Sequence, residues 1–271
     1  MSYIPMIARV SSLPPLPESV IKLEGLYAQG DPDIDQIVKI IESDPSLTAD
    51  LLSKVNAPLY SFSRQIISVL QAVTLFGSAK IRAMVLSSMV ERSFDVDLEP
   101  YGISTEEFAK ISMMQSELMF QWYMGVDIDV AKLLTPIAFL METGKILIAK
   151  DILDRHKEDE FLRDVQNFDK LRYVENIHVN MTTAQINALI FEHWKLNSTF
   201  IECMKYQGNE HEVPDSIKRE VDALNIVRAA VNIKEQFSED SIEDASKKLA
   251  EASYDLDKFM SVIKRIKEKY L

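Results

Sequence analysis

One cysteine in 271 residues, Cys203, leaves no partner for an internal disulfide. Only seven glycines argue against a fold rich in hairpins and tight turns, since helices need fewer such joints. No apolar run reaches the roughly 20 residues that span a bilayer. The first stretch, MSYIPMIARVSSLPPLP, has prolines and an arginine where a secretory signal needs an unbroken apolar segment. A cytoplasmic location without membrane insertion is the expectation. Basic charge is also scarce, with 30 Lys and Arg against 42 Asp and Glu, a net charge of −12. That field repels phosphate backbones and argues against nucleic acid as a partner. The local exception is DKFMSVIKRIKEKYL, with Lys258, Lys264, Arg265, Lys267 and Lys269. It reads as a helix with a solvated basic face and cations at the C-terminal dipole.

What is present is ordinary globular composition, 47% apolar and 27% charged, in a chain long enough for one large or two small domains. Helical signals follow one another. Asp31 and Pro32 predict a cap and a first-turn proline before Ile34, Ile37, Val38 and Ile41. Asp44 and Pro45 repeat the device before the stripe Leu47, Leu51, Leu52 and Val55, which Asn56, Ala57 and Pro58 terminate. A short helix is expected over 67–76, with Gly77 as a left-handed terminator, and another over 81–92. Ser104 with Glu107, and Thr182 with Gln185, read as capping boxes, and Asp129 as the start of the helix between them. Further helices are expected over 215–237, 241–253 and 255–270. No segment shows convincing period-two alternation, so the fold class is all-α. The pattern weakens between Asp95 and Ser104, where Pro100 and Gly102 mark the main internal boundary.

Several of these residues together resemble a known family. LPPLPESVIKLEGL, with Leu13 to Pro17, is followed by Asp44-Pro45, Leu51, Leu52, Asn56 and the stretch Ala72 to Gly77. Their joint spacing is similar to that of the HDOD module, the HD-related output domain of bacterial signalling proteins. Asp44, Pro45, Asn56 and Gly77 read physically as caps, a helix end and a turn, so they identify a scaffold and not a reaction site. The resemblance implies a multi-helical HD-domain-like bundle preceded by an N-terminal helical subdomain. The division expected is 1–100 for that subdomain and 101–271 for the HD-like part with its closing helices.

The same resemblance raises the question of catalysis. HD-type phosphohydrolases hold a metal with several histidines and an adjacent His-Asp pair, whose cation activates a water and screens phosphoryl oxygens. Related modules that keep the pair run Leu-Leu-His-Asp-Ile-Gly-Lys. Here Met141 stands at the His position and Glu142 at the Asp position, ahead of Thr143, Gly144 and Lys145. Thr183 falls where another histidine precedes Trp194, and Gln207-Gly208 where a histidine pair follows it. The earliest ligand position falls near Ile111 to Met113, where the sequence is Ile-Ser-Met. Thioether, hydroxyl and amide groups replace imidazole poorly on such cations, so no metal, cofactor or catalytic residue is expected. The family pocket is instead read as an emptied one formed by Met141, Glu142, Lys145, Thr183 and Gln207.

Other chemistry weighs little. METGK lacks the first glycine of a phosphate loop and no strand precedes it. Gly144 is expected to allow close helix packing, and Lys145 to reach solvent or pair with a carboxylate such as Glu142. His156 and His211 lie in charged segments read as surface, while His178 and His193 share no ligand-like spacing. Cys203 reads as a buried, inert thiol. Met84, Met89, Met113, Met114, Met119, Met124 and Met141 read as core before an adaptable binding groove.

The functional expectation is a non-catalytic regulatory module that binds a protein partner, the preferred choice, or a small signalling ligand through the emptied pocket and the helical surface. The resemblance implies a role in bacterial signalling, in control of motility, stress response or virulence. Two alternatives stand beside it. One is a phosphohydrolase of nucleotides or cyclic dinucleotides, with an oxygen-only metal site using Glu142, Glu175 and Glu192. The other is a non-catalytic nucleotide sensor with Lys145, Lys205 and Arg228 near the old pocket.

Overall fold

The computed structural model describes residues 5–60, 64–93, 96–168, 170–208 and 213–270. In chain order its helices are α1 (Met6–Ser11), α2 (Glu18–Gln29), α3 (Ile34–Glu42), α4 (Pro45–Val55), α5 (Val69–Phe76) and α6 (Ser78–Ser93). There follow α7 (Thr105–Tyr123), α8 (Ile128–Leu140), α9 (Gly144–Asp154), α10 (Glu158–Asn167) and α11 (Leu171–Val179). The last are α12 (Thr183–His193), α13 (Ser198–Tyr206), α14 (Lys218–Ala230), α15 (Glu239–Glu251) and α16 (Leu256–Tyr270). The fold is all-α; the only β-type pairing among the described residues is an isolated antiparallel bridge between Val231 and Gln236. No single helix among them is long and apolar enough to cross a membrane.

The chain forms two compact units. The smaller is Pro14–Ser93. The larger combines the described residues up to Leu13 with those from residue 96 onward, so α1 belongs with α7–α16. The expected division at residue 100 therefore misassigns α1, which packs on α9 and α12 and whose Arg9 reaches Asp151 at 3.0 Å. Six residues of weak amphipathic pattern gave no sign of that attachment.

In the smaller unit Asp44 caps α4 by accepting from the Leu47 amide at 3.0 Å, with Pro45 in the first turn. Leu47, Leu51 and Val55 are buried, whereas Leu52 is only half-buried. Asn56 does more than end the helix. Its side-chain nitrogen donates to the Leu52 and Ile66 carbonyls, and its side-chain oxygen accepts from the Ile66 amide, all at 2.8 Å. One carboxamide thus closes α4 and anchors the segment leading to α5. Gly77 sits at φ 79°, ψ 155°, which is positive-φ but not the left-handed helical geometry expected, and it separates α5 from α6 at a bend of 118°. Within this unit Arg82 forks onto Glu24 at 2.8 and 2.6 Å.

Among the differences in helix boundary, three have a plain local cause. Asp33, not Asp31, caps α3, because its carboxylate reaches the Asp35 amide at 3.0 Å and leaves Pro32 ahead of the cap. Asp127, not Asp129, caps α8, accepting from the amides of Asp129 and Val130. The helix expected over 215–237 is α14, which stops at Ala230, where the chain turns into the Val231–Gln236 bridge. Both capping boxes form as expected, Ser104 with Glu107 and Thr182 with Gln185.

The larger unit is organised around α7, which packs along α8, α14 and α16. Trp122, Tyr123, Tyr254 and Phe259 interlock edge to face at one end of α7. The basic terminal helix α16 is docked through buried Phe259, Val262, Ile263, Ile266 and Tyr270. Of the methionines named above, Met84, Met89, Met113, Met114, Met119 and Met141 are core, while Met124 is 52% exposed.

Candidate functional site

The site begins at the corner between α8 and α9. Gly144 opens α9 against α12, and a Cβ placed on it would lie 2.6 Å from the Thr183 carbonyl oxygen. Only glycine permits that approach. The carboxamide of Asn187 on α12 ties the corner, accepting from the Gly144 amide and donating to the Met141 carbonyl, each at 2.7 Å. Close apposition of the two helices carries Lys145 inward, so that it is fully buried rather than reaching solvent.

Around Lys145 lies a closed polar network. Its ammonium is 2.9 Å from Glu142 Oε2, 2.9 Å from Glu175 Oε1 and 3.0 Å from Thr183 Oγ1, which occupies its three protons. Thr183 donates its hydroxyl to Glu175 Oε1 at 2.6 Å and its amide to Glu175 Oε2 at 2.7 Å. Tyr101 donates to Glu175 at 3.2 Å and places its ring 5.3 Å from the ammonium. On the other flank the Arg228 guanidinium forks onto Glu142, Nε at 2.9 Å and Nη2 at 3.2 Å. Gln115, from α7, donates to Glu142 Oε1 at 3.2 Å and to the Val231 carbonyl at 2.8 Å. Two carboxylates and two cations balance to neutrality, the arrangement that makes buried charge tolerable.

The five residues that the sequence places in the family pocket do come together. Met141 and Gln207 complete the set by bonding one another, Nε2 to Sδ at 3.2 Å. The Gln207 and Gln115 Oε1 atoms are buried without a hydrogen-bond partner. Other residues considered above lie elsewhere. Glu192 pairs with Lys205 at the surface, so neither stands in the network. His178 binds Asp164 at 2.7 Å and His193 the Leu13 carbonyl at 2.9 Å, and His156 is exposed. His211 lies outside the described residues. Gln115, Asn187 and Tyr101 had no signal in the sequence as site residues. Gln115 lies within one helical turn of the stretch Ile111 to Met113, near which the resemblance places the earliest ligand.

The donor set does not suit the metal of an HD hydrolase. The carboxylate oxygens of Glu142 and Glu175 already share a tethered ammonium, and the neighbouring positions offer a thioether and an amide. Among the described residues no group of three or more His, Cys, Asp or Glu is disposed to hold an ion.

Electrostatics follow from the geometry. Burial pushes the Glu142 carboxyl up, but Arg228 and then Lys145 outweigh it and hold the group down at about 2. Glu175 is lowered against the same burial, chiefly by Lys145 and then by Arg228. Burial opposes the charge on Arg228, yet Glu142 and Glu175 hold it above its ordinary value. Because both acids are stronger in the folded chain, the unfolded chain takes up protons first on acidification. Their stabilisation is present above the ordinary carboxylate range and lost as the pH falls from about 4.5 toward 2. The urea midpoint followed by tryptophan fluorescence is therefore expected to drop over that interval. Glu142→Gln should flatten the drop, and an equal drop in the variant would assign it to other carboxylates. Both tryptophans, Trp122 and Trp194, belong to the larger unit, so the probe reads that unit alone.

Cys203 is fully buried, and desolvation pushes its thiol up to about 12. An aromatic disulfide reagent at pH 8 is expected to leave it unmodified in the folded chain and to titrate one thiol in denaturant. Rapid native reaction would contradict the burial.

Beside the network, in the same unit, opens a cavity of about 610 Å³. Glu142 and Arg228 line it together with residues from the start of α11, the C-terminal half of α14, the 232–235 turn and α15. Arg228 keeps 25% of its side chain exposed there, against 1% for Glu142.

Fold and site together define a helical module of the HD-like class that holds a buried polar network balanced by its own charges. The chain belongs to the HDOD family, for the HDOD domain model matches residues 13–210. Among solved structures it is similar to a virulence factor from Campylobacter jejuni, 26% identical with a TM-score of 0.62, covering 97% of this chain and 95% of that one. An HDOD domain protein of unknown function from Geobacter sulfurreducens matches at 16% identity and TM-score 0.61, over 98% of each chain. A Marinobacter aquaeolei protein described as a candidate signal transduction protein matches at 19% identity and TM-score 0.71, over 96% of this chain and 58% of that one. No curated protein matches the chain.

Proposed function

We propose that the chain is a non-catalytic cytoplasmic module of bacterial signalling that acts by recognition, chiefly of a protein partner. One observation carries this reading. Where a phosphohydrolase of this lineage would coordinate its cation, Lys145 holds Glu142 and Glu175 in a buried, neutral network. An enzyme of that kind needs carboxylates free for a metal and a water beside it, and here every lysine proton is spent on protein oxygens. The similarity to a Campylobacter jejuni virulence factor over nearly the whole chain supports a role in control of virulence.

The test is a metal analysis of the purified full chain after incubation with Mn²⁺, joined to a panel of phosphomonoester and cyclic dinucleotide substrates. Sub-stoichiometric metal and no turnover above blank are expected. Stoichiometric metal with turnover that is lost in Glu142→Gln would overturn the reading.

A further inference from the structure

The cavity beside the network carries a charge balance unlike that of the molecule around it. The chain has a net charge of −12, yet Lys170, Arg172, Lys234, Lys248 and Arg228 all line this one space. Lys170 and Arg172 stand at the start of α11, whose first turn has no side-chain cap, so its leading amides reinforce the preference for an oxyanion. A simple ion needs nothing like 610 Å³; that volume falls within the roughly 300–1,000 Å³ typical of small-molecule sites. Acidic groups line the space too: Glu235, Asp240 and Asp244. Glu142 is committed to Lys145 and Arg228; of the other three, Asp244 pairs with Lys248 at 3.6 Å and Glu235 accepts from Ser238 at 2.7 Å, but all three lie at solvent and would repel a bare anion. They would accept hydrogen bonds from a molecule bearing hydroxyl or N–H groups at its other end.

We propose that the cavity binds a nucleoside phosphate, its phosphate against Lys170, Arg172 and Lys234 and its sugar hydroxyls or base N–H groups against the carboxylates. The inference rests on the reading of the chain as a recognition module and names the small-molecule class it recognises. Arg228, shared between Glu142 and the cavity, couples an occupant to the buried network.

Calorimetric titration of the full chain with adenosine and guanosine diphosphates tests it, with adenosine and inorganic phosphate as fragments. One site per chain is expected, each fragment binding at least tenfold more weakly than the nucleotide. The double variant Lys170→Ala with Lys234→Ala, both exposed side chains, should weaken nucleotide binding at least tenfold with an unchanged circular dichroism spectrum. The same charge change on α16, Lys258→Ala with Lys264→Ala, should alter it less than twofold. Absence of heat from both nucleotides at millimolar concentration overturns the site, as does equal binding by the first double variant or equal loss in the second. Consumption of the nucleotide during titration would end the non-catalytic reading while leaving the site standing, so the two failures are distinguishable.

Discussion

Lys145→Met is expected to destabilise the larger unit by about 3–5 kcal/mol, the usual cost of removing one partner from a buried ion pair. The substitution nearly preserves side-chain length, so the loss is electrostatic. Glu142 keeps Arg228, but Glu175 is left buried with only Thr183 and Tyr101 as donors. Urea unfolding followed by tryptophan fluorescence measures the change, since both tryptophans lie in that unit. Adding Glu175→Gln removes the stranded charge and should recover at least about 1 kcal/mol, because sites that share a network are not additive. A loss below about 1 kcal/mol in the single variant would mean that water already reaches the ammonium, contrary to its complete burial.

Gly144→Ala is the second large effect. A methyl group there would meet the Thr183 carbonyl at 2.6 Å, the Asn187 side-chain oxygen at 3.2 Å and Ile186 Cβ at 3.2 Å. Backbone cannot yield as a flexible side chain does, so α9 and α12 must separate. Overpacking of this kind costs about 1–3 kcal/mol, and loss of the Asn187 bonds to Gly144 and Met141 adds to it. Gly25, in α2, has nothing within 4 Å of the same position. Gly25→Ala is therefore expected to stabilise the smaller unit by about 0.5–1 kcal/mol through helix propensity. Far-ultraviolet circular dichroism of the two variants in urea gives the comparison, and equal effects would remove the packing argument.

Much of this is legible in the sequence alone. Asp44-Pro45, the two capping boxes and the helical periodicity are local signals, each satisfied within a few residues, and the structure realises them. That the residues read as the family pocket lie near one another was legible as well, because the family pattern that the chain resembles sets Met141, Glu142, Thr183 and Gln207 at fixed distances from Trp194 and from the Gly-Lys pair. What that pocket does with its charges was not. Lys145 carries nothing in its neighbours to say that it turns inward; the reason is the approach of α12 to Gly144, a contact 39 residues away in sequence. Gln115 and Asn187 were missed for the same cause, since a carboxamide that bridges two helices looks like any polar residue on its own helix. The caps assigned to Asp31 and Asp129 failed more simply. Two aspartates stood two residues apart at each helix start, and composition does not say which carboxylate reaches an amide.

The attachment of α1 has a practical consequence for dissecting the protein. The backbone departs the larger unit after Leu13 and rejoins it beyond Ser93, so the smaller unit behaves as a long excursion and not as a leading domain. A fragment beginning at residue 100 would therefore start its existence one helix short, lacking Arg9 and the buried Met6 and Val10. A dissection that retains α1 together with α7–α16 keeps that helix, and is the sounder way to isolate the unit that holds the polar network.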